Sequence, residues 1–542
     1  MNDTYDVIVV GGGGAGLACA VSAAEQGADV LLLEKQPRLG GSTGRAVGSF
    51  TASGTALQRR AGITDGPDDH QVDAGLFGPR GYEARNNAAL RRYFFGRSSE
   101  TLDWLSSMGL VFHGPSPEPP NRVPRMHNVV PNAKAYVATL QLRLLRLGGT
   151  VACDAPVEEL VTESGRVAGV VARIDGRQRV LRARRGVVLA AGDYAGSAAM
   201  ISKYRGDRFA AIEGINPDAT GDGHRLAEQV GARLLNMDIT YGPELRFVPP
   251  RAGGVEQLLP SSGPLLRLMG LALPLVPGAA MRWMIKRLLV TWQHPEDAIL
   301  ADGAILVNRD GVRFCDETAT PDREIAVAAQ PGKVAYIVLD ERLAARYGAW
   351  PHYVSTAPEI AYAYVADYLR LRPDVAVAGT SLAAVAAERG LPADALQRTV
   401  DGYGAEATHG GGSATPAGAE APATGAEAPA TRVEAPATRV EAPATRVEAP
   451  ATRVEGRPAL SGSRWVLLGP VKAYFTNTEG GAAIDEDQRV LDLDGQPIPG
   501  LYAAGQTGLG GMVLWGHGLH IAWALTSGRL VGQALGRPGP TA

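Results

Sequence analysis

The sequence is poor in cysteine, in long apolar runs and in surplus charge of either sign. Its three cysteines, Cys19, Cys153 and Cys315, lie far apart with no C-x-x-C pair, so neither a disulfide framework nor a zinc site is expected. The longest uncharged apolar run, Leu268 to Met281, is interrupted by Pro274 and Pro277 and is too short to span a bilayer. Lys and Arg number 53 against 56 Asp and Glu, which leaves no cationic surplus to meet the phosphates of a nucleic acid. The start, Met1-Asn-Asp-Thr-Tyr-Asp6, lacks the basic then apolar order of a signal peptide, so a cytoplasmic location is expected. Its 542 residues, 45% of them apolar, exclude global disorder and suggest two or three domains.

Glycine, by contrast, is abundant and clustered, at Gly11–Gly16, Gly40–Gly44, Gly410–Gly412 and Gly505–Gly518. Short β-branched or leucine-rich runs predict strands at Tyr5–Val10, Asp29–Leu33, Val167–Ile174, Gly186–Ala190 and Ala335–Leu339. Helical periodicity is clearest at Gly16–Gln26, Ala135–Leu147, His224–Val230, Ser381–Arg389 and Leu519–Leu535. The opening order of strand, glycine turn, helix and strand points to a parallel α/β sheet. From Glu427 to Val454 the heptapeptide Glu-Ala-Pro-Ala-Thr-Arg-Val occurs four times without a mismatch. A proline in every copy forbids a continuous helix, and each copy is neutral and poor in large apolar groups. Residues 404–463 are therefore expected to form a flexible surface loop.

The N-terminal glycines carry the first chemical signal. Gly11, Gly13 and Gly16 form G-x-G-x-x-G, with Gly14 and Ala15 between them, directly after a strand and at the start of a helix. Gly11 permits the tight turn, Gly13 lets the backbone approach a pyrophosphate, and Gly16 lets the helix pack closely on the sheet. The helix N-terminus offers unpaired N–H groups to the phosphates. Glu34, eighteen residues after Gly16, is placed to bind ribose hydroxyls.

The next stretch, Glu34-Lys35-Gln-Pro-Arg-Leu-Gly40-Gly41-Ser42-Thr43-Gly44, resembles that of FAD-dependent fumarate reductases and 3-ketosteroid dehydrogenases. So do Pro156-Val157-Glu-Glu-Leu160, Gly186 to Ala191-Gly192, Ala219-Thr-Gly-Asp222-Gly223, Pro499 to Gly505, and Gly516-His517-Gly518-Leu519-His520. The resemblance implies an α/β fold: a Rossmann-like FAD-binding domain of the glutathione-reductase type with an inserted α+β substrate or cap domain. The FAD-binding domain would comprise 1–245 and 464–537, and the inserted domain 246–403. It further implies bound FAD, contacted by the residues just quoted. No histidine stands in Gly41–Arg45, where the family attaches flavin covalently, so the FAD should be noncovalent.

Where the resemblance fails, chemistry is left open. Aligning Arg313-Phe-Cys-Asp-Glu317 with the family segment puts Pro321 where fumarate reductases have their acid arginine and steroid dehydrogenases a tyrosine. Proline cannot transfer a proton. The dicarboxylate-binding histidine is also missing before Gly480-Gly481, and no arginine lies between Arg489 and Arg529, so fumarate itself is not expected. Leu514 stands about where the steroid enzymes have a second tyrosine, while Gly518 matches the glycine whose N–H polarises a ketone. His517 is the leading candidate for acid/base or carbonyl-binding work, with Tyr353 and Tyr194 behind it. His520 reads as a first-turn stabiliser, His127 as a loop histidine bonded to backbone, Arg323 as a surface ion pair and Tyr502 as core. The apolar segment Leu258–Trp292 reads as a pocket wall in preference to a membrane-surface helix.

These readings predict an FAD-dependent dehydrogenase that introduces a C=C next to a carbonyl in a cyclic or steroid-like ketone. The alternatives are a reductase of an activated C=C and a flavin-binding protein without catalysis. The expected partners are a small apolar carbonyl substrate and an external electron acceptor or donor, since no haem-attaching C-x-x-C-H is present.

Overall fold

The computed structural model describes residues 2–250, 262–263, 286–287, 289–291, 293–357, 361–409 and 458–537, the side chains of 405–409 excepted. The heptapeptide repeats and nearly all of Leu258–Trp292 lie outside them, and with them the expected loop and pocket wall.

The strand Thr4–Val10 is a Val/Ile run buried on both faces. Such a strand needs neighbours on each side, and it has them in Val30–Leu33 and Arg177–Leu189, both parallel to it. Thr150–Ala152 and Pro497–Ala503 extend the parallel sheet, and Val157–Glu163 and Arg166–Ile174 form an antiparallel flap on Arg177–Leu189. Among the described residues this sheet has eight strands. The strand expected at Gly186–Ala190 is the end of that longer Arg177–Leu189 strand.

The first helix, Gly14–Glu25, is fixed against the last, Leu519–Gly536, by glycines four residues apart on the latter. A Cβ on Gly528 would come within 2.1 Å of Ala15 O, and one on Gly532 within 2.4 Å of Cys19 O. Only glycine lets the two backbones approach this closely, and the contact carries the loop before Leu519 to the mouth of the first βα turn.

A second sheet is built around Trp465–Phe475, which pairs with Ala335–Leu339, Ala376–Gly379, Glu244–Phe247 and Glu213–Gly214. Residues 465–475, expected in the second FAD-binding part, pair both with Glu213–Gly214 of the first part and with Ala335–Leu339 and Ala376–Gly379 of the expected inserted domain. The helix Ala393–His409 also runs past the expected boundary at 404, and the chain is anchored again by Ser461 N–H on Asp340 Oδ2 at 3.2 Å. A small third sheet, Ser49–Thr51, Met126–Val130 and Val111–Ser116, stands beside the first. Among the described residues no helix is long and apolar enough to cross a membrane, and no cluster of His, Cys, Asp or Glu is placed to hold a metal ion.

Three histidines are packed inside: His70, His127 and His224. Burial pushes His127 and His224 down to about 4, and His70 well below its ordinary value. Each is neutral when folded and takes a proton near pH 6.5 when unfolded, so stability falls as pH drops from about 6.5 towards 4. His127 and His224 should each cost roughly 3 kcal/mol once fully titrated. Thermal unfolding should show the melting temperature falling steadily from about pH 7 to about pH 4.5; a flat profile would contradict this burial.

Candidate functional site

Two cavities, of about 370 and about 920 Å³, share Gly11, Glu34, Lys35 and Ala191 in their walls. Together they run along the C-terminal ends of the parallel strands, where open α/β sheets bind ligands.

At this edge the three glycines of the first turn play different parts. A Cβ on Gly11, whose φ is +108°, would lie 2.4 Å from Ala190 O, and one on Gly16 would lie 1.8 Å from Gly11 O. At Gly13 the nearest atom would be Gly40 O at 4.0 Å, so its α-carbon borders open space. That cradle at a helix N-terminus suits a pyrophosphate. Gly14, Ala15, Gly40, Gly41, Ser42, Thr43 and Gly192 line the same cavity, and Gly14 N–H donates to Thr43 Oγ1 at 3.2 Å.

The Glu34 carboxylate is held by two backbone donors, Gly12 N–H at 2.7 Å and Gln36 N–H at 2.8 Å. Lys35 reaches across to Asp222 at 2.7 Å and to Thr220. With Val157, Ala191 and Arg225 they enclose the smaller cavity. Gly505 and Gly518 border the far end of the larger one. Leu519, expected beside the cofactor, turns its side chain into the core and is not among the residues that line the cleft. The open cradle, the donor-rich helix end and the fixed acid fit an adenine dinucleotide such as FAD.

The far end of the cleft is polar. The loop Trp515–Gly518 is tied down by Thr51, whose hydroxyl donates to His517 O at 2.6 Å and whose N–H donates to Gly518 O. The buried Glu118, in the connection between two strands of the small sheet, accepts from His517 N–H and from Nδ1–H, each at 2.7 Å. The His517 side chain is 59% exposed, and that exposure is to the cleft it lines. Enclosure by protein works to lower its pKa, but the hydrogen bond and charge of Glu118, with Glu244 behind, hold it above the ordinary 6.5.

Facing it are Tyr241, Arg246, Gln293, Thr476 and Asn477. Arg246 Nε donates to Glu244 at 2.8 Å, and Thr476 Oγ1 donates to the same carboxylate at 2.6 Å. His294 interacts with Glu244, Arg246 and His517; burial lowers its pKa, and its Nδ1 has no hydrogen-bond partner. On the other wall His520 Nε2 donates to the fully buried Glu479 at 2.8 Å, and Leu514 N–H donates to that carboxylate's second oxygen. Burial pushes the nearby Asp193 up to about 6.

Two sequence candidates do not reach this place. Tyr194 is fully buried, and its hydroxyl is spent on Met237 O. Tyr353 packs in an aromatic group with Trp350 and Tyr362, outside the cleft walls. Arg323 proves to be a buried, not a surface, ion pair with Glu324 and Asp297. His127 lies on a strand, bonded to Thr55 Oγ1 and Phe50 O. His520 is a cleft residue, not merely a first-turn stabiliser. Sequence reading missed Glu118, Arg246, His294 and Glu479. The prolines that bracket Glu118, in Pro117-Glu-Pro-Pro120, were the available signal for a rigidly presented acid.

A sequence profile of the FAD binding domain family matches residues 6–258 and 273–518. A cytochrome-type fumarate reductase of Shewanella frigidimarina is 26% identical over 548 residues, covering 98% of this chain and 77% of that one. An NADH:fumarate oxidoreductase of Klebsiella pneumoniae is 29% identical over 356 residues, 65% of this chain, which spans only about a third (34%) of that longer protein. A 3-oxosteroid 1-dehydrogenase of Mycolicibacterium smegmatis is 27% identical over 325 residues, 45% of this chain and 57% of that one. Among solved structures, the open conformation of a flavocytochrome c3 fumarate reductase superposes with a TM-score of 0.68 at 23% identity, covering 99% of this chain and 78% of that one. The chain belongs to the FAD binding domain family, as a flavoprotein of the oxidoreductase group in which fumarate reductases and 3-oxosteroid dehydrogenases are found.

Proposed function

We propose that the protein interconverts a CH–CH and a C=C bond beside an acyl group, running as a reductase of a small polar enoate or enone. Bound FAD would supply or accept the hydride. Gly13, Gly14 and Glu34 would hold it noncovalently along the cleft, and His517 would give the proton to the carbon next to the acyl group. The observation that carries this reading is His517 itself, open to the cleft and held by Glu118. A pKa above the ordinary value keeps more of the imidazole in its proton-donating form near neutral pH, which favours the reductive direction. Arg246 supplies one guanidinium already shared with Glu244, a poor match for two carboxylates, so a monocarboxylate or ketone is the better fit. Electrons would come from an external donor, in a cytoplasmic setting.

The steroid-like ketone expected from the sequence remains the second reading. It is favoured by Tyr241, an aromatic ring in the cleft wall that Trp515 backs at 4.6 Å between ring centroids, which suits a flat ring. Holoprotein reduced anaerobically with dithionite should be reoxidised by acrylate or cinnamate and far more slowly by fumarate. Bleaching of the oxidised protein by cyclic ketones, with no reoxidation by any enoate, would transfer the assignment to the dehydrogenase.

A further inference from the structure

We propose that Glu118 is the positioning residue of this site: one carboxylate oxygen holds His517 in the orientation and tautomer that leave Nε2 facing the cleft. The inference rests on the reading of His517 as the proton-transfer group and adds how that group is set.

Oxygen Oε1 of Glu118 accepts twice from the same residue, from the backbone N–H and from the ring Nδ1, both at 2.7 Å. A carboxylate can only accept, so Nδ1 must carry hydrogen in either protonation state of the ring, and Nε2 is the nitrogen that gains or loses the mobile proton. The backbone contact fixes the residue and the ring contact fixes χ, so the imidazole is held at two points. Glu118 itself is buried and comes from a proline-bracketed connection. The same small sheet supplies Thr51, which clamps the carbonyl side of the loop. A carboxylate oriented behind a histidine in this way plays the part that an aspartate plays in a hydrolytic triad, here on the loop before a helix.

The other charged and titratable groups around His517 are Glu244, Arg246 and His294 from the opposite wall. Glu244 and Arg246 are paired with each other, so their effects largely cancel. That leaves Glu118 as the dominant charge on the imidazole. The pair adds stability that is present below about pH 6.5 and is lost as pH rises through the raised pKa of His517.

The test is a pH titration of the holoprotein carrying 13Cε1-labelled histidine, with His517→Ala used to assign the resonance. Glu118→Gln keeps an acceptor of the same shape and removes the charge. Wild type should titrate above pH 6.5, Glu118→Gln should titrate lower by about one pH unit or more, and Glu118→Asp should recover most of the difference. FAD content and melting temperature identify any variant that has not folded; if Glu118→Gln is among them, the tautomer of neutral wild-type His517 decides the matter, with hydrogen on Nδ1 expected and hydrogen on Nε2 overturning the proposal. An identical His517 midpoint in wild type and Glu118→Gln would overturn the proposal. A His517→Ala enzyme reoxidised by acrylate at the wild-type rate would instead remove the catalytic reading, while the titration would still show whether Glu118 sets the imidazole.

Discussion

Gly13→Val is expected to give a folded protein that is nearly free of FAD. The φ of Gly13 is −78° with an extended ψ, a conformation that valine adopts readily. A Cβ there would have Gly40 O, at 4.0 Å, as its nearest atom outside the adjoining residues. The apoprotein should therefore melt close to apo wild type. That same space is where the pyrophosphate must meet the backbone, and two extra methyl groups would fill it. Flavin absorbance per protein should fall from near one equivalent to near zero. Gly16→Val gives the contrast, since its Cβ would collide with Gly11 O at 1.8 Å and the protein should fail to fold. A normal flavin spectrum in Gly13→Val would remove the cofactor from this cleft.

His517→Ala should retain FAD and slow reoxidation of the reduced enzyme by its enoate roughly 10²-fold or more. The neighbours are poorly suited to take over. Burial lowers His294, which makes it a weak reservoir of protons near neutral pH, and pushes the Tyr241 hydroxyl above its ordinary value. Pro321 caps the helix Asp322–Ala328 and has no proton to give. Tyr194 and Tyr353 lie off the cleft walls. Removal of the ring takes one of the two His517 donors from the buried Glu118, leaving the backbone N–H, so part of the effect would come from the lost charge balance. The Glu118→Gln and His517→Ala variants, read together, separate that part from proton transfer. An unchanged rate would pass the role to His520 and Asp193 on the other wall.

The α/β half was legible because local signals and burial agree there. Thr4–Val10 is a buried parallel strand, and a buried parallel strand reads as an unbroken apolar run. The glycine turn was legible for a similar reason, since Gly16 answers a steric demand made by Gly11 O within the same turn. What was not legible depends on contacts between distant parts of the chain. Trp465–Phe475 is as apolar as a strand of the first sheet, and nothing in its own residues says that it pairs with Ala335–Leu339. Glu118 and His517 are 399 positions apart, and only the folded small sheet brings the acid beneath the loop. Tyr194 turns on the same point: it has the right residue type, but its hydroxyl donates to Met237 O.

The most direct test is a crystal structure of the purified holoprotein with FAD and an unreactive acyl ligand, such as the saturated product acid. The pyrophosphate is expected on Gly13 and Gly14, and the ligand between the isoalloxazine and His517, with Nε2 within hydrogen-bond reach of the ligand. A flavin whose substrate face turns away from His517, with the ligand bound against other residues, would contradict it.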